Sequence, residues 1–166
     1  MPVGDMLRSV AVVLALVLGF VGYQVLVRDD VDQVAVVDYT AAAEAARDDG
    51  TFDVLAPEQL PPGWRATSVR YTTEGQAHWH LGVLTDEDEY VGLEQIVDDA
   101  EDALAAFSPD TAVVGSTTIM GQRWQVRADS AGTETTLLRS SGELSILVTG
   151  TAPRDELIGF VDSLRP

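Results

Sequence analysis

His78 and His80 are the chain's two histidines, and they stand two residues apart in the string His78-Trp79-His80-Leu81. Alternate positions on a strand share a face, so both imidazoles can be presented to one partner. That spacing suits two ligands of a zinc ion, or a general base with a helper. A zinc site needs a third ligand, and in a chain without cysteine it must be a carboxylate. Glu94 is the candidate. His78, His80 and Glu94 together would serve an envelope hydrolase or a metal-dependent enzyme. The plainer reading is two histidines hydrogen-bonded on a sheet, and it is the one preferred: no metal, cofactor or catalytic residue is assigned.

Other chemistry is mostly excluded. There is no Gly-x-Ser-x-Gly elbow, no Gly-x-Gly-x-x-Gly and no phosphate loop. All ten basic residues are arginines, so lysine Schiff-base chemistry is absent. The acidic run Asp86-Glu87-Asp88-Glu89 lacks the glycine and distal glutamate of a calcium loop and reads as a solvated hairpin tip. A half-buried Glu94 calls for a partner, Arg70 or Arg123, in a structural ion pair. Trp64, Trp79, Tyr90 and Trp124 fall on or beside strands; they pack a core, or, on an open face, form a binding surface for a ligand or peptide.

The net charge of −17 repels phosphate backbones, and no arginine cluster offsets it, so nucleic acid is excluded as a partner. The absence of cysteine rules out disulfides and thiolate catalysis.

From Val10 to Val27 the chain is apolar except for Gln24. At ~1.5 Å per residue the run spans about 27 Å, enough to cross a bilayer's hydrocarbon layer. It exceeds the ~7–15 apolar residues of a signal peptide. An uncleaved single-pass anchor is expected, with residues 1–9 cytoplasmic and the remainder extracytoplasmic. Arg8 favours that orientation and Arg28 opposes it.

Past a connector and helix at 28–50, residues 51–166 read as one α+β domain. Asp38 caps a helix from Tyr39 to Arg47 whose shallow stripe (Tyr39, Ala42, Ala43, Ala46) either packs lightly or spaces the domain from the membrane. Strands are expected at Trp64–Thr72, His78–Thr85, Tyr90–Val97, Ala112–Met120, Arg123–Ala128, Thr133–Ser140 and Leu144–Thr149. Pairing Thr85 with Tyr90 across a four-residue loop puts Glu94 on the face of Trp79 and Leu81, and His78 and His80 with Gln95. Helices are expected from an Asp98-Asp99 opening to Phe107 and after a Thr151 cap. The architecture follows: an antiparallel sheet of six to seven strands with helices packed on one face.

Four strings, Leu60-Pro61-Pro62-Gly63-Trp64, Trp79-His80-Leu81-Gly82, Tyr90-Val91-Gly92-Leu93-Glu94-Gln95 and Gly121-Gln122-Arg123-Trp124, resemble those of an actinobacterial family of single-pass membrane proteins characterised only as a domain of unknown function. The resemblance spans nearly the whole chain. It implies a membrane-anchored exported domain and transfers no functional residue. The expected function is a non-enzymatic binding or scaffold module of the cell envelope, with an envelope protein or small ligand as partner.

Overall fold

Free amides at the start of a helix need acceptors, and Asp38 provides one. In the computed structural model, which describes Val17 and residues 36–166, its carboxylate accepts from Thr40 N and Ala41 N and opens α1 (Tyr39–Asp49). Gly50, left-handed at φ 71°, closes the helix. The chain continues through β1 (Ala56–Pro57), β2 (Arg65–Thr72), β3 (His78–Leu84), β4 (Tyr90–Val97), α2 (Ala100–Phe107), β5 (Thr111–Ile119), β6 (Gln122–Asp129), β7 (Thr135–Ser141), β8 (Leu144–Gly150), α3 (Arg154–Ser163) and β9 (Leu164–Arg165). The tail at 1–9, the apolar run at 10–27 apart from Val17, and connector residues 28–35 lie outside the described residues. Among the described residues no helix is long and apolar enough to cross a membrane.

Two antiparallel meanders, β2-β3-β4 and β5-β6-β7-β8, meet where β4 pairs with β8. The sheet order is β2-β3-β4-β8-β7-β6-β5, and β1 and β9 form a separate two-stranded ladder. Both junction strands are buried almost throughout, as strands covered on two sides must be. On one face Trp79, Leu81, Leu93, Ile146, Val148 and Leu137 meet α1 and α3 in the main core. The opposite face carries Ile96, Leu138 and Leu147, which pack against Ala103 of α2. Helices therefore cover both faces, correcting the one-face expectation. Apolar residues alternate out of β4 and β8 in both directions, and each set requires cover.

α1 belongs to the domain. Tyr39, Ala43 and Ala46 are buried in the main core, Tyr39 Oη donates to Pro57 O at 3.1 Å, and Arg47 Nε donates to Val54 O at 3.0 Å. The compact unit runs from Val36 to Pro166, so its boundary precedes residue 51. Gln95 is also structural: fully buried on the main-core face, it accepts from Leu55 N at 2.6 Å and donates to Asp53 O at 3.1 Å. At α3, Pro153 takes the cap position and Thr151 does not cap. Its hydroxyl accepts from Tyr90 N at 3.1 Å and donates to Glu89.

The β3–β4 register differs from the expected one by a single residue. Thr85 N donates to Glu89 O at 2.9 Å, Asp88 N donates to Thr85 O at 3.2 Å, and Asp88 is left-handed at φ 63°. This is a three-residue loop, Asp86 to Asp88, closed by a left-handed residue, in place of the expected four-residue loop. Leu84 consequently faces Tyr90, and His80 faces Glu94. A one-residue slip exchanges the two faces of the partner strand. Glu94 thus joins the histidines, and Gln95 joins Trp79.

Candidate functional site

β2, β3 and β4 each contribute to one polar chain on the α2 face. His80 Nδ1 lies 2.7 Å from Glu94 Oε1, His78 Nε2 lies 2.6 Å from Glu94 Oε2, and His80 Nε2 lies 2.8 Å from Ser68 Oγ. An ionised carboxylate only accepts, so both imidazoles donate to it. The other ring nitrogen of His80, Nε2, is left for the Ser68 hydroxyl. Glu94 is 5% exposed. Burial alone would push its carboxyl up, but the hydrogen bonds and charges of His78 and His80 outweigh burial and hold it below its ordinary value. Burial first, and the nearby Glu94 charge second, raise the Tyr90 phenol. Neither Arg70 nor Arg123 pairs with Glu94; the histidines take that place.

The order hydroxyl, imidazole, carboxylate is the one by which hydrolases activate a serine. Ser68 escaped the sequence reading because three strands supply the members and no local spacing marks them. A metal is less well served. The imidazoles approach Glu94 on different oxygens, with ring centroids 6.5 Å apart. Among the described residues, the trio whose donor atoms all lie within 4.8 Å of one another is Asp98, Asp99 and Asp102. Asp99 in that trio is already occupied in capping α2.

Core packing, the first of the two readings of the aromatic residues, holds for two of them. Trp79 and Trp124 are buried in the main core, and Trp64 stacks on Phe160 with centroids 6.3 Å apart. Tyr90 lies over Gly92, where an added Cβ would come within 2.8 Å of its hydroxyl. Strand residues alternate between faces: Trp79 and Trp124 turn into the main core, whereas Tyr90 lies half-buried on the opposite face with Glu94.

Open surface lies elsewhere. A helix about 10 Å across covers about two strands spaced ~4.8 Å apart. α2 accordingly leaves much of its face of β5–β7 uncovered, and a groove of about 1000 Å³ lies there. Leu104 and Ala105 of α2 form one wall; Arg123, Gln125 and Arg127 of β6, with Leu138 of β7, line the sheet side. Arg127 donates to Thr111 Oγ1 at 3.2 Å, to Gln125 Oε1 at 3.1 Å and to the Thr111 carbonyl, and Arg123 donates to Ser116 Oγ at 3.2 Å. Beneath Arg127, buried hydroxyls join Thr111 to Ser108 (2.8 Å), Ser108 to Thr136 (2.7 Å) and Thr136 to Thr149 (2.8 Å). Thr149 then donates to Glu134 at 2.9 Å. This network fixes the C-terminal end of α2 to the sheet. Among the described residues the arginine–carboxylate ion pair is Arg65–Asp88; Arg123 and Arg127 have none. The sequence showed no arginine cluster because Arg123 and Arg127 are not neighbours in the chain; β6 alternates them onto one face, along the groove.

The chain belongs to the family described as protein of unknown function (DUF4245), whose model matches residues 1–164. No curated protein matches it. Membership agrees with the resemblance read from the four strings as far as a domain of unknown function, and it brings no activity with it.

Proposed function

We propose that this family member is a membrane-tethered, non-enzymatic binding module of the cell envelope. Val10–Val27 is its single-pass tether, residues 1–9 are cytoplasmic and the folded domain is displayed outside. The tether rests on the apolar run and its length. The groove carries the binding half of the reading: arginines without carboxylate partners border an apolar wall, in a chain with 27 acidic residues to neutralise them. A guanidinium whose acceptors are all neutral, set beside apolar surface, is a suitable arrangement for an anionic partner.

Two measurements test this. A reporter fused after Pro166 that works only outside the cytoplasm should be active, and a cytoplasm-only reporter silent; the reverse pattern refutes the orientation. A photo-crosslinking side chain at Ala105, on the groove wall, should capture a partner in intact cells. The same group at Glu44, on exposed α1 surface, should not. Equal capture at both positions removes the groove from the reading.

A second reading, an envelope hydrolase, has one observation in its favour, the Ser68–His80–Glu94 chain. The residues lining the groove do not include Ser68 or His80. Covalent labelling by a fluorophosphonate, lost in Ser68→Ala, would replace the first reading with the second.

A further inference from the structure

We propose that the groove accepts an extended acidic segment of a partner protein, with carboxylates at positions i and i+4 and an apolar residue at i+2. This rests on the groove reading above and specifies its ligand. Residues 123, 125 and 127 of β6 alternate onto one face, so Arg123 and Arg127 lie about 13 Å apart along the strand at ~3.3 Å per residue. An extended segment laid along β6 has the same repeat. Its side chains at i, i+2 and i+4 meet Arg, Gln and Arg in turn. The central position falls beside Leu138, which the ladder places opposite Gln125, and beside Leu104 on the α2 wall. An apolar side chain suits it.

The form of the groove favours a polypeptide over a small molecule. Pockets for small ligands enclose roughly 70–90% of the ligand surface. Here Glu101, Ala105, Pro109, Val113, Ser116 and Arg123 are all exposed, and the groove opens to solvent along its length. Charge fixes the register. The chain's net −17 repels an acidic peptide everywhere except where the carboxylates reach the two guanidinium groups. Glu101 is the carboxylate among the lining residues, and it disfavours a third acid in the segment.

Fluorescence anisotropy on the full-length chain in detergent tests this, using the synthetic peptide Ser-Glu-Ser-Leu-Ser-Glu-Ser and its counterpart with lysines for glutamates. The expected result is saturable, salt-sensitive binding of the glutamate peptide alone. Arg123→Glu should weaken it about tenfold, while Arg154→Glu, the same charge change on α3, leaves it within about twofold. Arg123→Gln, which keeps polarity without reversing charge, should fall between them and guards against a folding defect. Binding of the lysine peptide, or equal effects of Arg123→Glu and Arg154→Glu, overturns the proposal. If the Ala105 crosslink forms but the glutamate peptide does not bind, the acidic segment is wrong and the groove remains. If neither occurs, both fall.

Discussion

His80 stands directly opposite Glu94 across the β3–β4 ladder and donates its Nδ1 proton to the carboxylate at 2.7 Å. His78 holds the other oxygen, so one buried anion joins two imidazoles, and through His80 it reaches Ser68 on the edge strand β2. A glutamine at position 94 keeps the shape but presents an amide N–H to an imidazole N–H, leaving one buried donor unmatched. Glu94→Gln should therefore lower stability by about 1–3 kcal/mol at pH 7, as read by urea unfolding. A change below about 0.5 kcal/mol would show that the network contributes specificity without stability.

The same anion gives an acid dependence whose sign is fixed. Glu94 titrates lower in the folded chain than in the unfolded one, where a glutamate sits near 4.3. Its contribution is complete above that unfolded value. It is lost as pH falls through the lower folded value, because the unfolded chain takes up the proton first. Unfolding curves from pH 6 to pH 3 should show the difference between the parent and Glu94→Gln shrinking toward the acid end. A difference that grows on acidification would reverse the assignment.

The fold was readable wherever local chemistry decides it. Asp38 and the Asp98-Asp99 pair announced their helices as capping residue types, and all seven strands of the main sheet followed from apolar runs broken by turn residues. What escaped depended on parity and on distant chain. Asp86-Glu87-Asp88-Glu89 looks the same whether three or four of its residues form the loop. The choice rests on Asp88 accepting a left-handed backbone, and it alone decides whether Glu94 meets Trp79 or His80. The groove was invisible for a similar reason. Arg123, Leu104 and Leu138 are far apart in sequence, and only the return of β8 to β4 brings their elements together.

That return imposes a close approach. Gly150, near the end of the described β8, pairs with Val91, and an added Cβ there would strike the Tyr90 carbonyl. Backbone cannot swing aside as a side chain can, so the junction of the two meanders would have to open. Gly150→Ala should cost about 2–4 kcal/mol. Gly115→Ala, with nothing within 4 Å of the new carbon, should stay within about 0.5 kcal/mol. Thermal melts of the two variants compare them directly, and similar melting temperatures would refute the steric account.

Met120 and Gly121 join β5 to β6 with φ of 49° and 74°, a two-residue turn with both residues left-handed. Glycine accepts that conformation freely. Methionine does not, and its side chain is exposed at 59%, so little packing compensates. Asparagine is the preferred first residue of such a turn. Met120→Asn should raise stability by about 0.5–1 kcal/mol, seen as a higher urea midpoint with an unchanged slope. A lower midpoint would mean that methionine's contact with Arg165 outweighs the backbone strain.

Glu156, in the first turn of α3, is a carboxylate in an unfavourable place. Its Oε2 is buried with no hydrogen-bond partner, and burial first, then Asp86, Glu87 and Glu89 across the gap, raise its pKa. A carboxyl raised on folding weakens the fold once pH exceeds its unfolded value, since the unfolded chain ionises more readily. Glu156→Gln should therefore stabilise the domain at pH 7 by roughly a few tenths of a kcal/mol. The helix N-terminus partly offsets the gain, because it favours a negative charge there, and solvent screening keeps the effect small. Below about pH 4 both chains carry a neutral group and the advantage should vanish. Melting temperatures of the pair at pH 7 and pH 3.5 decide the matter: a variant less stable than the parent at neutral pH would mean that the helix dipole outweighs the repulsion from the β3–β4 loop.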